Sequence, residues 1–276
     1  MNPVVQMTTD VTGAPCWLSL MARDLPAAQQ FYGAVLGWAF RPAGLGQGFS
    51  VAMLEGVPVA GVGGMAGDFA VPVAWTPYFA VDDADEAVAR IRDCGGTVGI
   101  GPVTFPPGGR AALASDLEGA SFGVWEGRVL PDWRVGEGKA PAWLELHTRN
   151  AFDAALFYGQ VLEWAEGSPG GCEVSYEQDQ VVLRHDGQAV ARLNSGPVEN
   201  GSHRPQLRPR WRVHFKVHDL QAAQAAVLKH GGSLVTDDPA PDGETHLTVR
   251  DPDGGLFTLD QADGTGSRPP AGTSDV

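Results

Sequence analysis

The chain has 276 residues, of which 43% are hydrophobic, which is enough for two ordinary domains with packed cores. Its formal net charge of −14 argues against nucleic acid or an acidic membrane surface as a partner. It has three scattered cysteines, no signal-peptide pattern and no apolar run near the roughly 18 residues of a membrane span, so we expect a cytoplasmic protein without a disulfide framework.

The first predicted elements return later in the chain. Residues 17–38 and residues 143–164 repeat one another without a gap. Each copy begins with an alternating strand, continues with a residue suited to cap a helix, Asp24 or Asn150, and then carries a helix with an apolar stripe. Internal repetition on this scale predicts two similar domains in one chain.

A second strand and helix follow within each copy. Residues 78–82 lead into a helix near 83–93, and residues 214–218 lead into a helix near 219–230. Each of these helices ends at a pair of glycines, which suit a left-handed helix cap. Further strands with glycine-rich turns follow every helix, so the predicted order is βαβββ four times over, an α+β fold.

The repeat also sets the domain boundaries. We place one domain at residues 14–126 and the other at 140–261, with a linker at 127–139. The last residues, 262–276, are rich in Gly, Ser, Pro and Thr, and we expect them to be disordered.

Three segments carry a family resemblance: residues 24–38, residues 75–83 and the Asp-Pro-Asp-Gly turn at 251–254. The chain resembles the glyoxalase / bleomycin-resistance / extradiol-dioxygenase superfamily, also called vicinal oxygen chelate proteins. It is similar above all to tandem two-domain members common in actinomycetes, some of which are accessory proteins of aromatic polyketide (anthracycline) biosynthesis. The resemblance implies paired βαβββ modules whose mixed sheets curl into a cup around a small ligand.

The resemblance also tells where a metal would be bound. Metal-dependent members use His, Gln or Glu at cup-facing positions, the first of which precedes the helix-capping residue by seven. The corresponding positions here are Trp17, Thr76 and Gly123 in the first copy and Trp143, Arg212 and Thr258 in the second. Indole has no lone pair for a cation and arginine stays protonated, so we predict no metal and no cofactor.

The first cup is predicted to be apolar. If Trp17 faces the cup, strand alternation turns Ser19 and Met21 the same way, with Thr76 and Tyr78 on the partner strand. Phe49 and Trp125, together with Trp143 in the second copy, complete the predicted ligand-binding set. Such a surface suits a small planar aromatic ligand, although the same aromatics would also serve as core. Trp38 and Trp164, at helix ends, are expected to pack in the core.

The second cup is predicted to be polar. Glu145 and His147 would face inward beside Trp143, opposite Arg212, His214 and Lys216. This set is either acid–base machinery or an ion-pair network, or it faces solvent through a one-residue slip of register. If the set is catalytic, His147 or His214 would transfer the proton, Glu145 would orient that histidine, and Arg212 would hold an anionic oxygen of the substrate.

The favoured hypothesis is a metal-free binding protein for a planar aromatic natural product. It would sequester an antibiotic or polyketide, or assist a biosynthetic tailoring oxygenase. The alternative is a metal-independent enzyme (an isomerase, a cyclase or a hydroxylation-related enzyme) that acts on a similar aromatic polyketide through His147, Glu145, His214 and Arg212. A stress-related protein without a dedicated ligand is a third possibility. The tandem chain is expected to be a monomer that mimics a dimer, or a homodimer.

Overall fold

The computed structural model describes residues 11–43, 48–105, 109–130, 133–141, 143–164, 171–177, 180–196, 209–235 and 246–262. Within these residues, sixteen strands and four helices follow one another as four βαβββ modules, two in each half of the chain. The α+β architecture predicted from the repeat is confirmed.

The first domain consists of modules one and two. Module one contains β1 (Pro15–Met21), α1 (Leu25–Leu36), β2 (Ala39–Pro42), β3 (Phe49–Leu54) and β4 (Val57–Gly63). Module two contains β5 (Trp75–Ala80), α2 (Ala84–Asp93), β6 (Thr97–Phe105), β7 (Gly109–Ser115) and β8 (Ser121–Gly127).

The second domain repeats this order. Module three contains β9 (Trp143–Thr148), α3 (Ala151–Val161), β10 (Cys172–Glu177), β11 (Gln180–His185) and β12 (Gln188–Ser195). Module four contains β13 (Arg210–Val217), α4 (Leu220–Lys229), β14 (Ser233–Leu234), β15 (His246–Arg250) and β16 (Leu256–Gln261).

The helices begin at the residues that the sequence predicts. The side chain of Asp24 accepts a hydrogen bond from the backbone N–H of Ala27, and that of Asn150 accepts one from Phe152. Both bonds satisfy donors that the first turn of a helix leaves without a partner. Helix α1 ends at Gly37, whose positive φ of 69° is a conformation that glycine adopts without strain.

Each domain contains one eight-stranded mixed sheet, with strand order β2-β3-β4-β1-β5-β8-β7-β6 in the first and β10-β11-β12-β9-β13-β16-β15-β14 in the second. The two modules of a domain join where β1 pairs with β5, or β9 with β13, in antiparallel fashion. Each concave face is therefore built within one domain and not across the two.

The opposite faces of the sheets carry the helices and share one core. Leu18 and Leu20 are fully buried in it, whereas their neighbours Trp17, Ser19 and Met21 alternate with them and are partly exposed on the concave face. Helix α1 contacts α4 and α2 contacts α3, so buried side chains of both domains form one continuous cluster. Trp38 and Trp164 lie in this core, as predicted.

The segment between the domains packs against the first domain. Trp133 is buried, and its indole N–H donates to the carbonyl of Val59 at 2.8 Å. At the other end of the chain, Ala262 still donates to the carbonyl of Val217. The rest of the predicted disordered tail, 263–276, lies outside the described residues. No helix in the described part of the chain is long and apolar enough to cross a membrane.

Candidate functional site

The pairing of strands assigns each position of the first cup an equivalent in the second. The central row of the first cup contains Trp17, Tyr78, Gly123 and Leu113. The equivalent row of the second cup contains Trp143, His214, Thr258 and Thr248. The fold therefore presents two concave faces of the same geometry and opposite polarity.

The first cup brings together the residues that the sequence predicted there. Trp17 pairs with Tyr78 and Ser19 pairs with Thr76 across β1 and β5. The remaining members follow from the neighbouring pairs: Met21 and Phe49 both pair with Gly63, and Trp125 pairs with Ala80. Of these predicted ligand residues Thr76 is buried, and the others are partly exposed.

Glycines form much of the floor beneath these side chains. A Cβ at Gly123 would collide with the ring of Tyr78, and one at Gly109 would collide with the ring of Trp125. A Cβ at Gly61 would lie 3.2 Å from the indole nitrogen of Trp17. Because these positions have no side chain, the neighbouring aromatic rings lie across the adjacent strands and present broad surfaces to the cup.

The aromatic rings are also held at the rim. The rings of Trp17 and Trp133 lie 5.8 Å apart, so the segment between the domains touches the cup. The indole N–H of Trp125 donates to the carbonyl of Arg128 at 3.0 Å. Burial raises the pKa of the Tyr78 phenol, and a hydrogen bond with Ser19 partly offsets this effect. Tyr78 is therefore a neutral donor and acceptor within an apolar surface.

In the described part of the first domain, charge on the concave face lies at the outer edge of the cup. Among the described strand residues of the first domain, Arg41 is the charged residue that the strand register places on the concave face, in line with Val51 and Gly61. A cavity of about 770 Å³ opens beside that edge, and it is lined by Arg41, by Phe49 and by residues at the start of helix α1. The other predicted ligand residues lie outside the cavity, on the open concave face.

The second cup holds three of the four predicted catalytic residues in contact. Nε2 of His147 lies 2.6 Å from Oε2 of Glu145, and Nε2 of His214 lies 3.6 Å from the same oxygen. Arg212 pairs with Glu145 across β9 and β13 and is buried. These side chains alternate with the fully buried Leu144, so they belong to the concave face. The alternative in which a one-residue slip of register turns these side chains away from the cup is therefore wrong.

The structure adds residues that the sequence did not single out. Asp260 lies 3.2 Å from Nδ1 of His214, and the amide of Asn194 donates to Glu145. The guanidinium of Arg192 lies 4.8 Å from the centre of the Trp143 ring. Thr248 completes the central row beside Thr258, the residue at the closing-strand metal-ligand position. Their positions depend on which strands become neighbours, and no local pattern in the sequence carries that information.

Electrostatics in this cup favour charged side chains. Burial raises the pKa of Glu145, but hydrogen bonds and positive charge from His147 and His214 outweigh burial and hold this pKa well below its usual value. Burial lowers the pKa of His214, whereas hydrogen bonds to Asp260 and Glu145 raise it to about 9. At neutral pH the cup therefore contains a carboxylate beside an imidazolium.

The donor set does not fit the divalent metal that the fold family implies. Trp17, Thr76 and Gly123 occupy the corresponding positions in one cup, and Trp143, Arg212 and Thr258 occupy them in the other. The part of the chain that the structure describes contains no group of three or more His, Cys, Asp or Glu residues arranged to hold a metal ion. In the second cup, cationic Arg192 and Arg212 would in addition repel a divalent cation.

Comparison with known proteins is consistent with this architecture. A family model described as a glyoxalase-like domain matches residues 143–259. The chain is 30% identical over 270 residues to the anthracycline biosynthesis protein DauV of Streptomyces sp. (strain C5), covering 92% of this chain and 94% of that protein. It is 29% identical over 255 residues to the putative glyoxylase CFP32 of Mycobacterium tuberculosis, covering 90% and 94% of the two chains.

Solved structures show the same fold. A Mn(II)-bound glyoxalase from Novosphingobium aromaticivorans superposes with a TM-score of 0.53 at 17% identity, covering 91% of this chain and 82% of that chain. A catechol 2,3-dioxygenase superposes with a TM-score of 0.54 at 14% identity, covering 96% of both chains.

Proposed function

This chain belongs to the glyoxalase / bleomycin-resistance / extradiol-dioxygenase superfamily, and from that premise we propose that it is a metal-independent binding protein whose first cup holds a planar aromatic molecule. One observation carries the proposal. Trp17, Met21 and Tyr78 lie partly exposed on one concave face whose floor is lined by glycine. Trp17 occupies a position where metal-dependent relatives present a polar ligand, and Met21 and Tyr78 extend the apolar surface around it.

The chemistry of this face suits flat rings. Stacking on an aromatic side chain or contact with a methionine sulfur each stabilises a bound ring by about 1 kcal/mol. The hydroxyl groups of Ser19, Thr76 and Tyr78 give a few orienting hydrogen bonds within an otherwise apolar surface. Arg41, at the outer edge, suits an oxygen substituent at one end of the ligand.

Relatives point to the same class of molecule. The chain is related to DauV and to DnrV of Streptomyces peucetius, both named for anthracycline biosynthesis. Anthracyclines contain a flat fused-ring system of the kind that an aromatic floor accommodates. In this proposal the chain sequesters such a compound, or holds it for a tailoring oxygenase.

Titration with 1,8-dihydroxyanthraquinone, a neutral flat probe, tests the proposal. Binding to the full chain should saturate at one equivalent, because the second cup is polar. Trp17→Ala should weaken binding at least fivefold, equivalent to about 1 kcal/mol. Trp143→Ala, its equivalent in the second cup, is the matched control and should leave the affinity unchanged.

Trp17 packs against Trp133, so its replacement could weaken binding by disturbing the structure, and a second variant controls for this effect. Met21→Ala should weaken binding without altering that ring contact. Unchanged affinity in both first-cup variants, or equal losses in the Trp17 and Trp143 variants, would refute the assignment.

A second candidate function has its own observation. The 2.6 Å contact between Glu145 and His147 is the geometry of a carboxylate that orients a proton-transferring imidazole. In that case the chain converts a related aromatic polyketide without a metal. His147→Ala would then abolish conversion of 1,8-dihydroxyanthraquinone by the full chain, followed by mass spectrometry, and leave binding of this probe intact. Conversion at the unaltered rate would exclude this function.

A further inference from the structure

We propose that the second cup is a separate binding site for an anionic, hydroxyl-rich organic molecule, a hydroxy acid, held without a metal by Arg192, His214, Thr248 and Thr258. This site is distinct from the aromatic cup of the first domain and does not depend on it. Polar groups that are buried without partners carry the inference, together with the excess of positive charge around them.

Two buried hydroxyl groups mark the far side of the cup. Thr258 is fully buried and Thr248 is 5% exposed, yet neither side-chain oxygen has a hydrogen-bond partner among the described residues. A buried hydroxyl without a partner costs about 1–3 kcal/mol. Thr248 pairs with Thr258, which pairs with His214, so the three side chains form a line across adjacent strands about 4.8 Å apart.

The other groups without partners define the complementary chemistry. Nε of Arg192 is buried and forms no hydrogen bond within the described residues, and the buried Nε2 of His214 has a long contact of 3.6 Å with Oε2 of Glu145. Both are donors, so they suit a carboxylate. Oδ1 of Asn194 is an acceptor without a donor, so it suits a hydroxyl group. A ligand that satisfies all of them carries both a carboxylate and hydroxyl groups.

Charge on this face favours an anion. Around the central row, Arg192, Arg212 and the His214 imidazolium outnumber the carboxylates of Glu145 and Asp260. Glu177, nearer the edge of the sheet, forms an ion pair with Arg184. This local surplus of positive charge lies within a chain whose net charge is −14. Arg192 stacks on Trp143, which holds its guanidinium over the central row. A carboxylate there would meet a planar cation and an imidazolium together.

The equivalent positions of the first cup show that this chemistry is particular to the second domain. By strand register, Arg192 corresponds to Gly61, Asn194 to Gly63 and Thr258 to Gly123. The buried side-chain atoms of Arg192, Asn194, Thr248 and Thr258 that form no hydrogen bond among the described residues all belong to the second domain. The same scaffold therefore presents an apolar floor in one half and a charged, hydroxyl-lined floor in the other.

Calorimetric titration of the full chain with D-glucuronate tests the proposal. Glucose, which has the hydroxyl groups without the charge, and sulfate, which has the charge without the hydroxyl groups, are the comparison ligands. We expect saturable binding of glucuronate at least tenfold tighter than that of either. Arg192→Gln and Thr258→Val should each weaken it at least fivefold, and Met21→Ala in the first cup should not.

Stability of the variants separates ligand binding from a structural role. Thr258→Val removes a hydroxyl that has no partner, so it should keep or raise the melting temperature while it lowers affinity. Arg192 is partly exposed, so its variant gives a test that does not require altering the core.

Glucuronate binding no tighter than that of glucose and sulfate, or unchanged affinity in both second-cup variants, would overturn the proposal. Binding of the anthraquinone at Trp17 is measured independently, so failure of one site is distinguishable from failure of the other.

Discussion

The phenol oxygen of Tyr32 in the first domain donates a hydrogen bond of 2.7 Å to the carboxylate of Asp251 in the second. The equivalent hydrogen bond of the repeat runs in the opposite direction: Tyr158 of the second domain donates to the carboxylate of Asp116 in the first, at 3.0 Å. All four side chains are buried. The pair of bonds fixes the two helical faces against each other and so sets the positions of the two outward-facing cups.

Removal of either phenol should destabilise the chain. Tyr32→Phe and Tyr158→Phe each leave a buried carboxylate with one partner fewer, which should lower the free energy of unfolding by about 1–3 kcal/mol. Urea denaturation measures the change. Tyr176→Phe, at a side chain that is 60% exposed, is the control and should have no effect. Equal stability of all three variants would show that the bonds between the domains contribute nothing.

The shared core predicts cooperative unfolding. Because residues of both domains form one buried cluster, the chain should unfold in a single calorimetric transition with equal calorimetric and van't Hoff enthalpies. Two resolved transitions would contradict this prediction and indicate that each domain is stable by itself.

Stability should fall between pH 6.5 and pH 9. The pKa of His214 is raised to about 9, so within this window the folded chain holds a proton that the unfolded chain has released. The contribution of His214 to the free energy of unfolding is on the order of 3 kcal/mol. This contribution is fully present below pH 6.5 and is lost as the pH rises through 9. His214→Gln should flatten the slope, whereas His218→Gln, at an exposed histidine, should not. The same slope in the His214 variant would rule out this origin.

The glycine floor of the first cup gives a prediction about shape. Gly123→Ala places a methyl group against the ring of Tyr78, which must then move. We expect weaker binding of the anthraquinone and a loss of about 1–3 kcal/mol in stability, the cost of overpacking. Gly67→Ala is the matched control, because a Cβ at that position has no atom within 4 Å. Equal effects of the two substitutions would contradict a tightly packed floor.

The sequence predicted the fold well because the fold repeats. The copied segments beginning at Trp17 and Trp143 gave the module order, and strand alternation placed Ser19 and Glu145 on the concave faces. Alternation is a local property, and it survives in the structure.

The composition of each cup was less accessible to sequence reasoning. Arg192, Asn194 and Asp260 meet Glu145 or His214 only because distant strands become neighbours. Trp133 lies in a segment whose composition is typical of a linker, and its packing on Trp17 has no sequence signal. These contacts are decided by the pairing of strands, which a single sequence does not specify.

Native mass spectrometry tests the central claim most directly. The untagged chain is expressed in metal-rich medium and incubated with 1,8-dihydroxyanthraquinone before the spectrum is recorded. The predicted spectrum shows the metal-free chain with one probe molecule, and treatment with a chelator leaves it unchanged. A mass increment of one transition metal per chain, together with loss of the probe on chelation, would contradict the account and make the chain a metal-dependent member of its superfamily.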